Sequence, residues 1–300
     1  MYKLIAIDLD GTMLNQYGII TQKTKETIKK VQEKGIEVII ASGRGINSVK
    51  NFAKEIESNK YFISGNGAIV YDIEKNQIIY EDTLKKTKAL DIIKICKENS
   101  IYYNVYTESE IIAEKLNYNT LYYHKENANK EEENKTHINI VQDAYDYILQ
   151  RNERILKIMI CDNNKTVFNS IIRKLREISD IEILDVSHMS RKIIKQGTEE
   201  IALEYFYTEV TATNVNKWNA LQELMKKMKI NEEELITIGD NTNDAKMLEN
   251  AGLGIAMGES APEIKEKAKI VTRTNDEDGV AEALEMIILN KNITKILQKY

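Results

Sequence analysis

Short apolar runs without polar alternation recur at both ends of the chain. Four of them, Leu4–Ile7, Val38–Ala41, Leu235–Ile238 and Leu253–Ala256, have the length of strands that are buried on both faces. The segments between such runs have helical spacing, as in residues 21–35. Alternation of strand and helix predicts a parallel sheet, so we expect both ends of the chain to form one doubly wound, Rossmann-like α/β core.

The middle of the chain has a different pattern. Longer helical stretches there alternate with strand-like runs such as Ile101–Thr107 and Ile155–Cys161. This mixture predicts a separate α+β domain that is inserted into the first domain. We therefore expect a discontinuous core of residues 1–83 and 201–300 and an inserted domain of residues 84–200.

The composition is that of a globular protein, and the charge argues against two classes of partner, nucleic acid and anionic membranes. Of the 300 residues, 42% are hydrophobic and 30% are charged, which suits a packed core. The net charge of −5 argues against binding to nucleic acid or an anionic membrane, because both need a basic face. Cys96 and Cys161 form no paired motif and suit a reducing compartment. With no leader pattern and no run of roughly 20 apolar residues, the expected location is the cytoplasm.

The strongest chemical signal is a pair of carboxylates directly after the first apolar run. Asp8 and Asp10 are two residues apart, and like charges this close together are costly unless a cation is recruited. A magnesium ion would remove that cost. Gly11 allows a turn that aims backbone N–H groups at an anion, and Thr12 adds a hydroxyl donor. The alternative interpretation is a simple turn in which both carboxylates cap backbone amides.

Two further polar segments follow buried strands. Ser42 and Gly43 come after the second apolar run, and the segment from Asp240 to Asp244 comes after the third and opens a helix. Because open α/β sheets bind ligands at the carboxyl ends of their strands, we expect both segments to lie at the same edge as Asp8. Asp240 would be a natural oxygen ligand for magnesium. A helix cap rich in aspartate and asparagine is the alternative, but it would use only one or two of these side chains.

Lys217 lies in the first turn of a predicted amphipathic helix. The helix dipole disfavours a cation there by roughly 0.3–1 kcal/mol. An anionic partner would compensate for this cost. The alternative is a solvated lysine whose long side chain points away from the helix end.

In this order and on these elements, the segments resemble the four sequence motifs of the haloacid dehalogenase (HAD) superfamily. Three more segments resemble its Cof-type (IIB) branch. They are Asn66-Gly67-Ala68, Lys217-Trp218-Asn219-Ala220-Leu221 and Asn275-Asp276-Glu277-Asp278-Gly279-Val280. The insertion between the second and third motifs is similar in position to the large α+β cap domain of that branch.

The resemblance implies catalytic roles for the first motif and a magnesium site. Asp8 would attack phosphorus, and Asp10 would protonate the leaving oxygen and then deprotonate the water that cleaves the aspartyl-phosphate. Magnesium would be held by the Asp8 carboxylate, the Asp10 backbone carbonyl and Asp240, with Asp244 close by or acting through water.

The same resemblance implies a set of phosphate-binding groups. These groups would hold the phosphoryl oxygens while charge redistributes during transfer. They are Thr12, Ser42, Gly43, Lys217 and Asn243.

The region around Lys217 departs from the family pattern. The segment Thr211–Asn216 lacks the glycine expected there, and Trp218 stands where a glycine is usual. We expect these departures to reshape the mouth of the pocket.

The function implied is hydrolysis of a small phosphorylated metabolite, a sugar phosphate or a similar compound, by a magnesium-dependent phosphatase. A phosphotransferase or phosphomutase with the same aspartyl-phosphate is one alternative. A non-catalytic phosphate-sensing regulatory protein is the other, although a binder has no need of an acid/base at Asp10. The sequence indicates no oligomeric state.

Overall fold

The protein is divided into two compact units. The structure is a computed structural model that describes residues 2–58, 60–129, 132, 135–184, 190–196 and 199–287. The first unit contains the described residues of Met1–Arg44, Val49–Glu81 and Asn216–Tyr300, and the second contains those of Gly45–Ser48 and Asp82–Val215.

Strands and helices of the described residues are numbered in chain order. The strands are β1 Leu4–Ile7, β2 Glu37–Ile40, β3 Tyr61–Ser64, β4 Ile69–Asp72, β5 Gln77–Glu81, β6 Tyr102–Thr107, β7 Ile111–Ala113, β8 Ile138–Ile140, β9 Ile155–Asp162, β10 Ile181–Ile183, β11 Ser190–Gln196, β12 Glu199–Ala212, β13 Leu235–Gly239, β14 Leu253–Ala256 and β15 Ile270–Val271. The helices are α1 Gln22–Gln32, α2 Ile46–Glu55, α3 Lys86–Glu98, α4 Tyr118–Glu126, α5 Ala144–Leu149, α6 Lys165–Leu175, α7 Lys217–Met228, α8 Ala245–Asn250, α9 Pro262–Lys265 and α10 Gly279–Ile287.

A parallel sheet in the order β15-β14-β13-β1-β2 forms the centre of the first unit. β1 lies between β2 and β13, and Ile7 is in register with both Ile40 and Ile238. All of β1 is buried, as expected for a strand whose two faces are covered. Strands from the two ends of the chain therefore flank β1, and the predicted doubly wound α/β core is confirmed.

Local sequence signals explain how α1 connects β1 to β2. The Thr21 hydroxyl caps the helix by accepting the N–H of Thr24 (3.2 Å). Ile28 and Val31 form its buried face. Strands β3, β4 and β5 form a small antiparallel sheet. A bridge between Ala41 and Ile63 joins this sheet to the end of β2.

The second unit has an α+β architecture, as predicted for the insertion. Its main sheet has the order β10-β12-β9-β6-β7-β8, and β11 pairs with β12. Helices α3 and α6 pack on one face of this sheet, where Ile93 and Phe168 contribute to a buried apolar cluster with Ile158 of β9. This cluster is the hydrophobic core of the unit.

The second unit ends at Val215 rather than at residue 200. The reason is β12, which continues across that expected boundary and pairs antiparallel with β9. The pairing runs from Phe206 opposite Asp162 to Val210 opposite Ile158. An insertion that ended at residue 200 would divide this strand between two domains.

Among the described residues, no helix is both long enough and apolar enough to cross a bilayer.

Candidate active site

The carboxyl ends of β1, β2 and β13 bring the predicted site segments together. The Asp8 N–H donates to the carbonyl of Ile238 (3.0 Å), which ties the residue after β1 to the end of β13. The Ser42 N–H donates to the carbonyl of Ile63 (3.0 Å). Because the three parallel strands end at one edge, Asp8, Ser42 and Asp240 follow them on the same side of the sheet.

Three carboxylates form a compact cluster at this edge. One oxygen each from Asp8, Asp240 and Asp244 lies within 4.8 Å of the other two. Asp244 Oδ2 accepts the backbone N–H groups of Asp240 (3.0 Å) and Asn241 (3.1 Å), so this side chain is fixed by the turn after β13. The Thr12 hydroxyl donates to Asp240 Oδ1 (2.8 Å) and orients the third carboxylate. Thr12 thus contacts the acidic cluster, whereas the sequence predicts a phosphate contact.

Lys217 is the cation of the cluster. Its ammonium group donates to Asp8 Oδ1 and to Asp244 Oδ1 (2.6 Å), and its side chain is fully buried. Burial by itself would lower the pKa of Lys217, but the charges of Asp244 and Asp8 outweigh it and raise the pKa above its ordinary value. The unfavourable position of a lysine at the start of α7 is therefore compensated by two carboxylates.

Negative charge still exceeds positive charge in this cluster. Burial raises the pKa of Asp8 well above its ordinary value; Lys217 opposes the shift, and the neighbouring carboxylates, first Asp244, add to it. Burial, followed by the charge of Asp244, raises the pKa of Asp240 to about 6. Clustered carboxylate oxygens with surplus negative charge suit a hard divalent cation such as magnesium. Asp8, Asp240 and Asp244 are therefore the residues that could hold one.

Gly11 permits the turn that follows Asp8 to pass close to the Asp240 carboxylate. Its φ of +82° lies in the left-handed region, and a Cβ atom there would lie 2.5 Å from Asp240 Oδ2. Any side chain at this position would displace the Asp240 carboxylate. Glycine is thus required both by the backbone conformation and by the space available.

Asp10 points its carboxylate at Arg44. Arg44 Nε donates to Asp10 Oδ2 (2.8 Å) and Arg44 Nη2 donates to Asp10 Oδ1 (2.6 Å), which is a two-pronged ion pair. The side chain of Asp10 is 59% exposed, in contrast to that of Asp8. In the sequence, Arg44 directly follows Ser42 and Gly43, but no role is predicted for it. Its position one residue after Gly43 is the signal that places it at the sheet edge.

Asn66 connects two of the predicted phosphate-binding loops. Asn66, whose φ is 58°, accepts the amide N–H of Asn243 on its Oδ1 (3.0 Å). Its backbone N–H donates to the carbonyl of Ser42 (3.0 Å). A Cβ atom on Gly43 would lie 2.6 Å from Asn66 Oδ1, so glycine lets the loops meet. The sequence records Asn66 only as a point of family resemblance, and its contact with Asn243 is visible only in the fold.

Trp218 lies in the hydrophobic core, so its position gives no support to the expected change at the pocket mouth. Its side chain is 7% exposed and packs in the apolar cluster that contains Leu221 and Ile63. Lys217 and Trp218 therefore leave the start of α7 in different directions, one into the charged cluster and one into the hydrophobic core.

An open parallel sheet with this set of carboxylates and one ammonium at its carboxyl edge defines an α/β protein suited to a divalent cation and an anionic ligand. The family model of haloacid dehalogenase-like hydrolases matches residues 5–284. The chain belongs to this family, as its resemblance to the Cof-type branch of the HAD superfamily predicts. The prediction of a phosphohydrolase of this superfamily is thereby confirmed.

Individual relatives match along nearly the whole chain. YxeH of Bacillus subtilis is 30% identical over 303 residues, which cover 97% of this chain and 100% of YxeH. The 5-amino-6-(5-phospho-D-ribitylamino)uracil phosphatase YcsE of the same organism is 26% identical over 287 residues, 96% of each chain. The crystal structure of a haloacid dehalogenase-like hydrolase from Bacteroides thetaiotaomicron is similar with a TM-score of 0.78 and 29% identity, covering 96% of this chain and 100% of that one.

The buried lysine yields a stability prediction. Lys217→Met would leave Asp8 and Asp244 buried without their cation, so we expect the free energy of unfolding in EDTA to fall by about 3–5 kcal/mol. Urea denaturation followed by circular dichroism measures this change.

Lys226→Met is the matched control, because Lys226 lies on the same helix but is 72% exposed and pairs only with Glu223 among the ion pairs of the described residues. We expect little change in that variant. Equal effects of the two substitutions would contradict the assignment of Lys217 as the charge that holds the cluster together.

Proposed function

We propose that this protein is a magnesium-dependent phosphatase that hydrolyses a small phosphorylated metabolite through an aspartyl-phosphate on Asp8. The observation that carries the proposal is the environment of the Asp8 carboxylate. It is buried, bonded to Lys217 and clustered with Asp240 and Asp244, while Asp10 lies two residues further along the turn. This supplies a nucleophile, a fixed cation and a carboxylate acid/base within one loop system.

The metal site would consist of the Asp8 carboxylate, the Asp10 backbone carbonyl and Asp240, with Asp244 adjacent. The surplus negative charge of the cluster supports this assignment. When bound, magnesium supplies positive charge to phosphoryl oxygens and to the carboxylate that faces them. The Thr12 hydroxyl would keep Asp240 turned towards the site.

Asp8 would form a bond to phosphorus as the bond to the ester oxygen breaks, and Asp10 would give its proton to that leaving oxygen. Asp10, now ionised, would take a proton from the water that attacks the aspartyl-phosphate, which releases phosphate and restores Asp8. Lys217 and the groups near Ser42, Gly43 and Asn243 would hold the phosphoryl oxygens.

The ion pair with Arg44 bears on the timing of these steps. A guanidinium partner favours the ionised carboxylate, so the geometry with Arg44 on Asp10 suits the base form. Asp10 would have to leave Arg44 to carry a proton to the leaving oxygen. Release of this ion pair would therefore accompany the first step.

Small phosphorylated metabolites are the proposed substrates. YcsE is named for a phosphorylated ribityl compound, and this supports a sugar phosphate or a similar small ester. A panel of phosphorylated metabolites, scored by phosphate release, tests the class directly.

The two buried free cysteines support the expected cytoplasmic location.

Other uses of the site would give different results in that assay. A phosphotransferase or phosphomutase would use the same Asp8 but deliver phosphate to a hydroxyl acceptor in preference to water. A phosphate sensor would release none. Release of phosphate from p-nitrophenyl phosphate with magnesium, abolished by EDTA, would support the hydrolase.

The two aspartates of the first motif should fail in different ways. Asp8→Asn removes the nucleophile, so we expect no turnover and no covalent intermediate. Asp10→Asn removes an acid/base worth typically ~10²–10⁴-fold in rate. Since p-nitrophenolate needs little protonation to leave, the first step should survive better than the second. Intact-protein mass spectrometry after an acid quench should show phosphate accumulating on the Asp10→Asn protein.

The comparison has a clear failing outcome. Turnover by Asp8→Asn, or a wild-type rate for Asp10→Asn with p-nitrophenyl phosphate, would contradict the assigned roles. Glu223→Gln is a suitable control, because this carboxylate is 42% exposed and pairs with Lys226 on the surface of α7.

The raised pKa of Asp240 predicts how the magnesium requirement depends on pH. With a pKa of about 6, this carboxylate becomes protonated as pH falls through that value, and protons then compete with the metal. We expect the magnesium concentration for half-maximal rate to be higher at about pH 5.5 than at about pH 7.5. Initial rates at a series of magnesium concentrations measure it.

Asp240→Asn tests the cause of that pH dependence. The amide oxygen can still accept the Thr12 hydroxyl, but the charge and the titration are lost. The variant should need more magnesium at neutral pH, and its requirement should depend less on pH than that of the wild type. An unchanged requirement at both pH values would exclude Asp240 as a ligand.

A further inference from the structure

The family-like segment from Asn275 to Gly279 has no part in the reaction described above. It follows β15 near the C-terminal end of the described residues and is therefore far from Asp8 in the sequence. Its side chains nevertheless bond to the loop that leaves the nucleophile strand. We call residues 14–21 the post-nucleophile loop. The bonds join Asn275 to Leu14 (2.8 Å), Asp276 to Gln16 (2.8 Å) and Asp278 to Thr21 (2.5 Å).

The first of these bonds acts on the turn that carries Asp10. The Asn275 amide donates to the carbonyl of Leu14, while the Leu14 N–H donates to the carbonyl of Leu9 (2.9 Å). Asp10 and Leu14 also form a β-bridge. Leu14 therefore links Asn275 to both sides of the turn from which the Asp10 side chain projects.

The other two bonds hold the far part of the loop. Asp276 accepts the backbone N–H of Gln16, and Asp278 accepts the hydroxyl of Thr21, which is the N-cap of α1. Between these points the loop is tightened by Asn15, whose side chain accepts two backbone N–H groups further along. A loop that is rigid within itself and held at three points has little freedom to shift against the sheet.

The segment is firmly anchored in its turn. Thr274 and Glu277 form a reciprocal capping box, and the Gly279 N–H donates to the carbonyl of Thr274 (3.0 Å). The Asn275 N–H donates to Glu259 Oε1 (3.1 Å) after β14. The segment thus transmits the position of the sheet edge near β14 and β15 to the loop after β1.

We propose that Asn275, Asp276 and Asp278 are positioning residues that hold the post-nucleophile loop, and through Leu14 the Asp10 turn, in the geometry needed for proton transfer. The inference rests on the proposed function, because it concerns the acid/base step assigned to Asp10. None of the three side chains is assigned to substrate or metal. Displacing a reacting group by about 1 Å can reduce a rate by about 10²-fold, so loss of the bonds should slow turnover.

Asn275→Ala and Asp276→Ala remove one bond each. We expect kcat for p-nitrophenyl phosphate to fall by about tenfold to hundredfold, with KM changed by less than about twofold because the phosphate-binding groups stay in place. Slower proton abstraction from water should also make phosphate accumulate on Asp8, detected by mass spectrometry after an acid quench. Asp276→Asn keeps an acceptor oxygen for the Gln16 N–H and should restore most of the rate.

Glu223→Ala is the control, because Glu223 lies on α7, is 42% exposed and pairs only with Lys226 among the ion pairs of the described residues. It should leave kcat unchanged. A wild-type kcat in the Asn275 and Asp276 variants, or an equal fall in Glu223→Ala, would overturn the inference. So would a fall in kcat without accumulation of phosphoenzyme. Failure of the proposed function is distinguishable, because the wild-type protein would then release no phosphate or Asp8→Asn would still turn over.

Discussion

The site depends on one buried cation. Lys217 is fully buried, and it is bonded to Asp8 and Asp244, which are themselves buried. None of these three charges would be tolerable at its position alone, because an unpaired ion in a protein interior costs several kcal/mol. The parallel register of β1 and β13 brings the two carboxylates to one edge, and the start of α7 delivers the ammonium between them. The sheet, the helix and the charged cluster are therefore mutually dependent.

The balance of charge links this arrangement to chemistry. Lys217 neutralises part of the cluster, and Asp240 adds a further carboxylate that Thr12 holds in place. Burial, followed by the charge of neighbouring carboxylates, raises the pKa of Asp8 and Asp240, and the surplus negative charge suits a divalent cation. A phosphate ester would then bring its own negative charge to a site whose total charge is close to balanced. Asp10 differs from this cluster because its side chain is exposed and paired with Arg44, and its exposure suits the acid/base role proposed for it.

Much of the core could be predicted from the sequence, because strands buried on both faces and helices with a capping residue have strong local patterns. Alternation of strand and helix predicts a parallel sheet, and the rule that ligands bind at the carboxyl edge brings Asp8 and Asp240 together. The end of the inserted unit could not be placed, since the pairing of β12 with β9 is non-local and crosses the expected boundary. The directions in which the Thr12 and Trp218 side chains point could not be predicted either, because neighbouring residues on a turn or at a helix start can face the site or the core.

Contacts to the backbone explain the remaining gap between sequence and site. Asn275 bonds to the carbonyl of Leu14 and Asp276 to the N–H of Gln16, and almost any residue could offer those same groups. Apart from the Thr21 hydroxyl, which donates to Asp278, the loop therefore offers no side chain that would reveal its partner about 260 residues away. The side chains that make these backbone contacts belong to the segment from Asn275 to Gly279, whose asparagine and aspartates are also typical of an ordinary turn. A motif with no reaction role can thus be read only when the fold shows which backbone it holds.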